Sequence, residues 1–215
     1  MNKDRRLCLL MALACFLAAF LLSMTALRCR DEAMAARISP SVIRFHVPAN
    51  SNSCEDQEAK LAVKSALLRF LADKLPKGAG LSETKAYIGG HLDDIQAFAD
   101  QFLENLGVPY GASVRLTECY FPTKAYGDLV FPSGRYEALQ VTLGQGRGRN
   151  WWCVLYPALC FITPEEGRLP EASKEKLHAL VPENDYESMT DTHRLIWSKE
   201  RPRIRFWSAG LFNRS

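Results

Sequence analysis

The sequence predicts an α+β fold: two helices packed on a small, mainly antiparallel sheet, preceded by an N-terminal membrane or export helix. Three observations carry this prediction. Residues 7–27 are an uncharged apolar run; residues 53–106 hold two stretches with apolar side chains at helical spacing; and after Gly111 the apolar period changes to two. A chain of 215 residues that is 47% hydrophobic and 24% charged suits one ordinary domain with an appendage, which excludes wholesale disorder, collagen and a polytopic membrane protein.

The apolar run LCLLMALACFLAAFLLSMTAL follows Lys3, Arg5 and Arg6 and is closed by Arg28 and Arg30. At about 1.5 Å per residue it covers roughly 30 Å, enough to cross a bilayer, whereas a cleaved signal peptide has an apolar region of only about 7 to 15 residues. Length therefore favours an uncleaved anchor. Against it, Ala33-Met34-Ala35 has the small-x-small form of a cleavage site, so cleavage stays open. The basic residues before the run place the N-terminus in the cytoplasm and the remainder outside it. The expected organisation is a signal peptide or anchor at 1–30, a linker at 31–40, an α+β core at 41–163 and a charged C-terminal region at 164–215.

Residues 41–47 (SVIRFHV) are β-branched and aromatic and end at Pro48, which predicts a strand with Ile43, Phe45 and Val47 on one face. Residues 50–53 read as a turn. Ser53 with Glu55 and Asp56 gives a capped acidic helix start, and Val63, Leu67, Phe70, Leu71 and Leu75 form its stripe until Pro76, Gly78 and Gly80 end it. A second helix opens at Ser82 with Ile88, Leu92, Ile95, Ala99, Phe102 and Leu106 in period, and Gly89-Gly90 is a place for a kink. Val114, Leu116 and Tyr120 then alternate in one strand, Leu139, Val141 and Leu143 in another, and residues 151–156 make a third. Turn-rich loops at 122–135 and 144–148 join them. Helical patches are expected at 173–180 and 186–197, and RIRFW at 203–207 reads as a final edge strand.

The net charge of +3 is an end effect, since five Lys/Arg against one acid put +4 on residues 1–30 and leave −1 for the rest. A near-neutral body argues against nucleic acid as a partner. Of seven cysteines, Cys54, Cys119, Cys153 and Cys160 fall in the exported part. Cys153 and Cys160 flank Pro157 and are either a short disulfide loop or two buried thiols. No C-x-x-C pair is present and His46, His91, His178 and His193 are scattered, so no metal or cofactor is expected.

Catalytic motifs are equally scarce. GQGRG at 144–148 lacks the third glycine of a dinucleotide loop and leads into a Trp-Trp strand instead of a helix, so it reads as a hairpin turn. G-x-S-x-G, H-E-x-x-H and Asp-Thr/Ser-Gly do not occur. Pairing Cys153 or Cys54 with His46 has no support in spacing, and the chain is expected not to be an enzyme. His46 is expected to be a hydrogen-bonded structural residue. Aromatics do cluster at Tyr120, Phe121, Tyr126, Phe131, Tyr136, Trp151, Trp152, Tyr156 and Phe161. Consecutive Trp151 and Trp152 point to opposite faces; either one is exposed for a protein contact or both are buried.

Two blocks carry a resemblance. IRFHVPANSNSCEDQEAKLAVKSALLRFL at 43–71 and YFPTKAYGDLVFPSGRYEALQVTLGQGRGRNWWCVLYPALCF at 120–161 resemble the stage II sporulation protein R family, over about residues 41–163. Pro48 stands where an aliphatic residue is more usual and Ala158 where a second proline is common, and the C-terminal tail follows the family only loosely. The resemblance implies a signal of endospore formation. Such a protein is made in the forespore and exported to the space between forespore and mother-cell membranes. There it activates a membrane-embedded aspartic protease that matures the precursor of σE. The expected contact surface is the 50–53 turn with the 121–135 and 147–152 loops: Asn50, Ser51, Ser53, Pro122, Lys124, Tyr126, Arg149, Asn150, Trp151 and Trp152. Replacing Arg149 and Trp152 together is expected to abolish signalling without unfolding. A secreted wall-binding module or wall hydrolase is the alternative.

Overall fold

The computed structural model describes residues 3–75, 78–160, 169 and 171–197. The strand expected at 203–207 and the aromatic Phe161 lie outside them. Helix α1 (Lys3–Ile38) leads through a 3-10 turn (Ser39–Ser41) to strand β1 (Ile43–Pro48). Helices α2 (Cys54–Lys74), α3 (Leu81–Gly90) and α4 (Leu92–Asn105) follow. Next come β2 (Ala112–Phe121), β3 (Lys124–Tyr126), β4 (Leu129–Phe131), β5 (Gly134–Leu143) and β6 (Asn150–Tyr156), then α5 (Glu171–Leu180) and α6 (Glu183–Trp197).

The main sheet has the order β2-β5-β1-β6. β2–β5 and β1–β6 are antiparallel, but β1 runs parallel to β5 with Phe45 beside Leu139. The parallel pair requires a long crossover, and the three helices with β2 and the β3–β4 hairpin supply it. β1 is central and buried along its whole length. Ile43, Phe45 and Val47 face one way with Leu139, Val141 and Leu143 of β5, and α2 closes over them with Val63, Leu67 and Leu71. Burying a side chain of this size stabilises by roughly 1.5–3 kcal/mol.

The start of α2 follows its sequence: the Ser53 hydroxyl accepts from the Asp56 amide at 3.2 Å, and Glu55 and Asp56 occupy the positive end of the helix dipole. The helix expected to open at Ser82 is instead two. At His91, φ −127° and ψ 26° leave the helical region, and its amide donates to Ile88 O three residues back. Gly89-Gly90 offers no side chains to hold the backbone there. The imidazole Nδ1–H then donates to the Tyr87 carbonyl at 2.8 Å, which the broken helix leaves without its amide. Leu106, expected in the stripe, is exposed because the helix ends at Asn105 and turns away through Gly107 at φ +72°.

The other face of the sheet is also covered. Arg44 and His46 of β1, Tyr136 and Ala138 of β5, Phe121 of β2 and Val154 of β6 are buried there. The end of α1, the β3–β4 hairpin, α5 and α6 close over them, through Ala35, Ile38, Tyr126, Phe131, Leu177 and Met189. Residues 31–40, expected as a linker, thus continue the helix to Ile38 and bury Ala35 and Ile38 completely. Tyr120 is 48% exposed although it shares the parity of Val114 and Leu116. It lies at the hairpin end of β2, beside Arg135, where it lines an open polar cleft with Glu118 and with Glu32 of α1.

Candidate functional site

Strand directions put three connections at one end of the sheet: the 49–53 turn after β1, the 144–149 loop between β5 and β6, and Tyr110-Gly111 before β2. Polar contacts lock them together. The Arg147 and Gly148 amides donate to Asn50 O and Ala49 O at 3.1 and 2.8 Å. Asn50 Oδ1 accepts from the Gln145 amide at 2.9 Å, and Asn52 Oδ1 from the Arg149 amide at 2.8 Å. Gly148 permits this closeness, since a Cβ there would lie 2.0 Å from Ser51 O. Gly144 and Gly146 take φ +53° and +63°, the left-handed conformation that turns the loop back.

Beneath this pair of loops Asp56 is buried and accepts from Asn50 Nδ2 at 2.9 Å and from the Tyr110 hydroxyl. Hydrogen bonds from Ser51, Tyr110 and Asn50 hold its carboxyl below the usual range, while burial and the same contact push the Tyr110 phenol up. Lys60, also buried, donates to Gln57 Oε1 at 2.6 Å and to Arg149 O at 3.3 Å, and burial with the nearby Arg149 lowers its ammonium pKa. Gln57 in turn donates to Ser51 O at 2.8 Å. The loops are therefore a rigid platform whose exposed residues are Asn52, Ser53, Gln145, Arg147, Arg149 and Asn150.

The ten residues expected to touch a partner divide into two groups. Asn50, Ser51, Ser53, Arg149, Asn150, Trp151 and Trp152 gather at the platform end, because Pro48 pairs with Asn150 and Val47 with Trp151. Pro122, Lys124 and Tyr126 lie at the opposite end, beyond the pairing of Phe121 with Gly134. Pro122 is exposed and Lys124 half-buried, but Tyr126 is buried, and its hydroxyl accepts from Arg44 at 3.0 Å.

Trp151 and Trp152 do point to opposite faces, each half-buried. Trp151 sits edge-on to Phe45 with Lys64 Nζ 5.0 Å above its ring. Trp152 stacks on His46 at 3.8 Å and meets Phe121 edge-on at 4.7 Å. Replacing Trp152 would thus disturb the core, so it cannot report on a surface contact by itself. Among the described residues neither ring nitrogen of His46, expected to be hydrogen-bonded, has a well-formed hydrogen bond. Burial pulls its pKa down to about 4, opposed in part by a weaker hydrogen-bonding approach of the Asn150 side chain. Cys153 and Cys160 form a disulfide, leaving Cys54 exposed and Cys119 half-buried as thiols.

Arg44 escaped the sequence reading altogether. It is fully buried, and among the described residues it has no carboxylate partner; Nε donates to Cys153 O at 3.0 Å, and Nη1 has no hydrogen-bond partner among them. Four rings surround the guanidinium, at 4.2 Å (Phe121), 4.8 Å (Tyr136), 5.0 Å (Phe131) and 5.7 Å (Tyr126). Cation–π attraction offsets part of the desolvation cost, and burial still lowers its pKa. The signal was present as a charge inside an otherwise apolar strand. Among the described residues no group of three His, Cys, Asp or Glu could hold a metal ion.

Residues 39–166 match the family model described as stage II sporulation protein R. The chain is also 35% identical over 147 residues to "Stage II sporulation protein R" of Bacillus subtilis (strain 168), covering 68% of this chain and 66% of that protein. It thus spans slightly less than two thirds of that relative's length. No solved structure matches.

Proposed function

From the premise that the chain belongs to the stage II sporulation protein R family, we propose that it is the forespore-made, exported signal that activates the mother cell's membrane-embedded aspartic protease, so that the σE precursor matures. It acts in the space between the two membranes and works by binding, with no chemistry of its own. The observation that carries this reading is the extent of the family match, which takes in every strand of the sheet, helices α2, α3 and α4 and both platform loops.

An activator must bind the active state of its target more tightly than the inactive one, because equal affinity shifts no equilibrium. A rigid platform suits that task, since its loops are ordered before binding and lose little entropy on contact. We assign the contact to the exposed tip, Asn52, Gln145, Arg147 and Arg149; the two arginine guanidinium groups there suit a partner surface that offers carboxylates. Reconstitution in a non-sporulating bacterium tests the function. The protease and the σE precursor are co-expressed with and without this chain, and precursor cleavage is followed by immunoblot. Cleavage dependent on the chain is expected. Its absence, with the chain exported and folded, discards the activator reading and brings forward peptidoglycan binding or hydrolysis.

A further inference from the structure

Helix α1 is long and apolar enough to cross a membrane, and its apolar stretch is wholly exposed. Its last two turns behave differently. Asp31 accepts from the Thr123 and Ser133 hydroxyls at 3.2 Å each, and Glu32 from Tyr120 at 3.3 Å. Ala35 presses so closely on Gly134 that a Cβ there would lie 2.3 Å from the Ala35 methyl. Arg37 makes a two-pronged ion pair with Asp185 of α6, Nε–Oδ2 2.8 Å and Nη2–Oδ1 2.6 Å. Asp185 is buried, and Arg37 holds its carboxyl below the usual range. Ser41 donates to Leu180 O at 2.8 Å. The small-x-small sequence Ala33-Met34-Ala35 is therefore helical and docked, whereas a processing protease needs it extended and free.

These contacts also set a direction. Along the chain, Asp31 meets the 123 and 133 positions of the hairpin end, Ala35 meets Gly134, and Ser39 and Pro40 share a cleft with Glu118, Arg135 and Glu137. The helix thus advances along β5 from the hairpin end toward the platform end, and its apolar part extends the other way. Asp31 is four positions, about 6 Å of helix, beyond Leu27 at the end of the apolar run. The sheet from Gly134 to Leu143 adds about 30 Å beyond.

We propose that α1 is retained after export as an anchor whose last two turns are part of the folded domain, and that it sets the 122–133 hairpin at the phospholipid headgroups with the Asn50–Arg149 platform facing away from that bilayer. The family match begins at residue 39 and so does not include α1. The proposal rests on the reading of residues 7–27 as membrane-crossing, and it gives the proposed activator a geometry: the platform is held out toward the opposing membrane.

Fractionation of cells expressing the full chain is the first test. The expected result is the 24.2 kDa chain in the membrane pellet, resistant to alkaline extraction. An exported product shortened by the 35 residues through Ala35 would overturn retention while leaving export intact. A full-length soluble cytoplasmic chain would overturn the membrane reading and the proposal with it. Orientation is read separately in vesicles of phosphatidylglycerol and phosphatidylethanolamine carrying headgroup nitroxides. In a chain with Cys8, Cys15, Cys29, Cys54 and Cys119 replaced by serine, a thiol fluorophore is placed through Ala125→Cys or Gln145→Cys. Quenching at 125 at least severalfold above that at 145 is expected; equal or reversed quenching overturns the orientation.

Discussion

On one face of the sheet Phe45, Leu139 and Val141 meet α2, α3 and α4 through buried apolar side chains; on the other, Arg44, His46, Tyr136 and Trp152 meet pieces of chain drawn from residues 31–38, 124–131 and 171–190. The first face needs only volume and periodicity. The second places polar groups in the interior, so every element docked there must answer a specific demand: Tyr126 for Arg44, Trp152 for His46, and Pro132 O, which accepts from the Tyr136 hydroxyl at 2.9 Å. Apolar packing closes both faces, and the polar groups of the second add specific demands on the distant segments that close it.

Paired substitutions test that division. Leu67→Ala, on the dry face, should cost about 4 kcal/mol in urea unfolding through lost burial and a cavity. Arg44→Ala should cost about 3 kcal/mol, yet Arg44→Met, which fills the same space without a charge to desolvate, should stay within about 1 kcal/mol of the parent. If methionine were as harmful as alanine, the guanidinium itself would be the stabilising element and the comparison would fail.

Smaller effects are expected where the polar network reaches the platform. Gly148→Ala must push the 144–149 loop off Ser51, which should cost about 2 kcal/mol and be visible as a lowered melting temperature. The second face should also carry a pH signature. His46 is neutral when folded, with a pKa of about 4 against 6.5 when free. The unfolded chain therefore takes up a proton first, so stability falls as pH drops from about 6.5 toward 4 and this contribution is flat outside that window. Allowing for partial solvent screening, the loss should reach about 2 kcal/mol, and denaturant unfolding at pH 7 and pH 4.5 should show it vanish in His46→Phe.

The same contrast explains what could be read in advance. Val63, Leu67 and Leu71 on α2, and Leu139 to Leu143 on β5, announce their elements because each needs only to be apolar at the right period. The cap at Ser53 and the opposed tryptophans are legible for similar local reasons. The parallel pairing of β1 with β5 was not, because register between strands ninety residues apart leaves no local pattern. Nor was the docked end of α1: Ala33 to Ile38 look like a spacer until Gly134 and Asp185 are brought to them. At the platform, the asparagine and glycine content marked the loops, but their mutual locking depends on Asp56, Lys60 and Tyr110, which carry no motif.

The most direct test of the platform as the signalling surface uses the reconstituted cleavage assay with Arg147→Ala combined with Arg149→Ala. Both side chains are exposed, so stability in denaturant unfolding should change by no more than roughly 0.5 kcal/mol, as expected of surface changes. The account predicts that precursor cleavage falls at least tenfold in this folded, exported variant. Cleavage at the parent's level would contradict it and move the contact away from the platform.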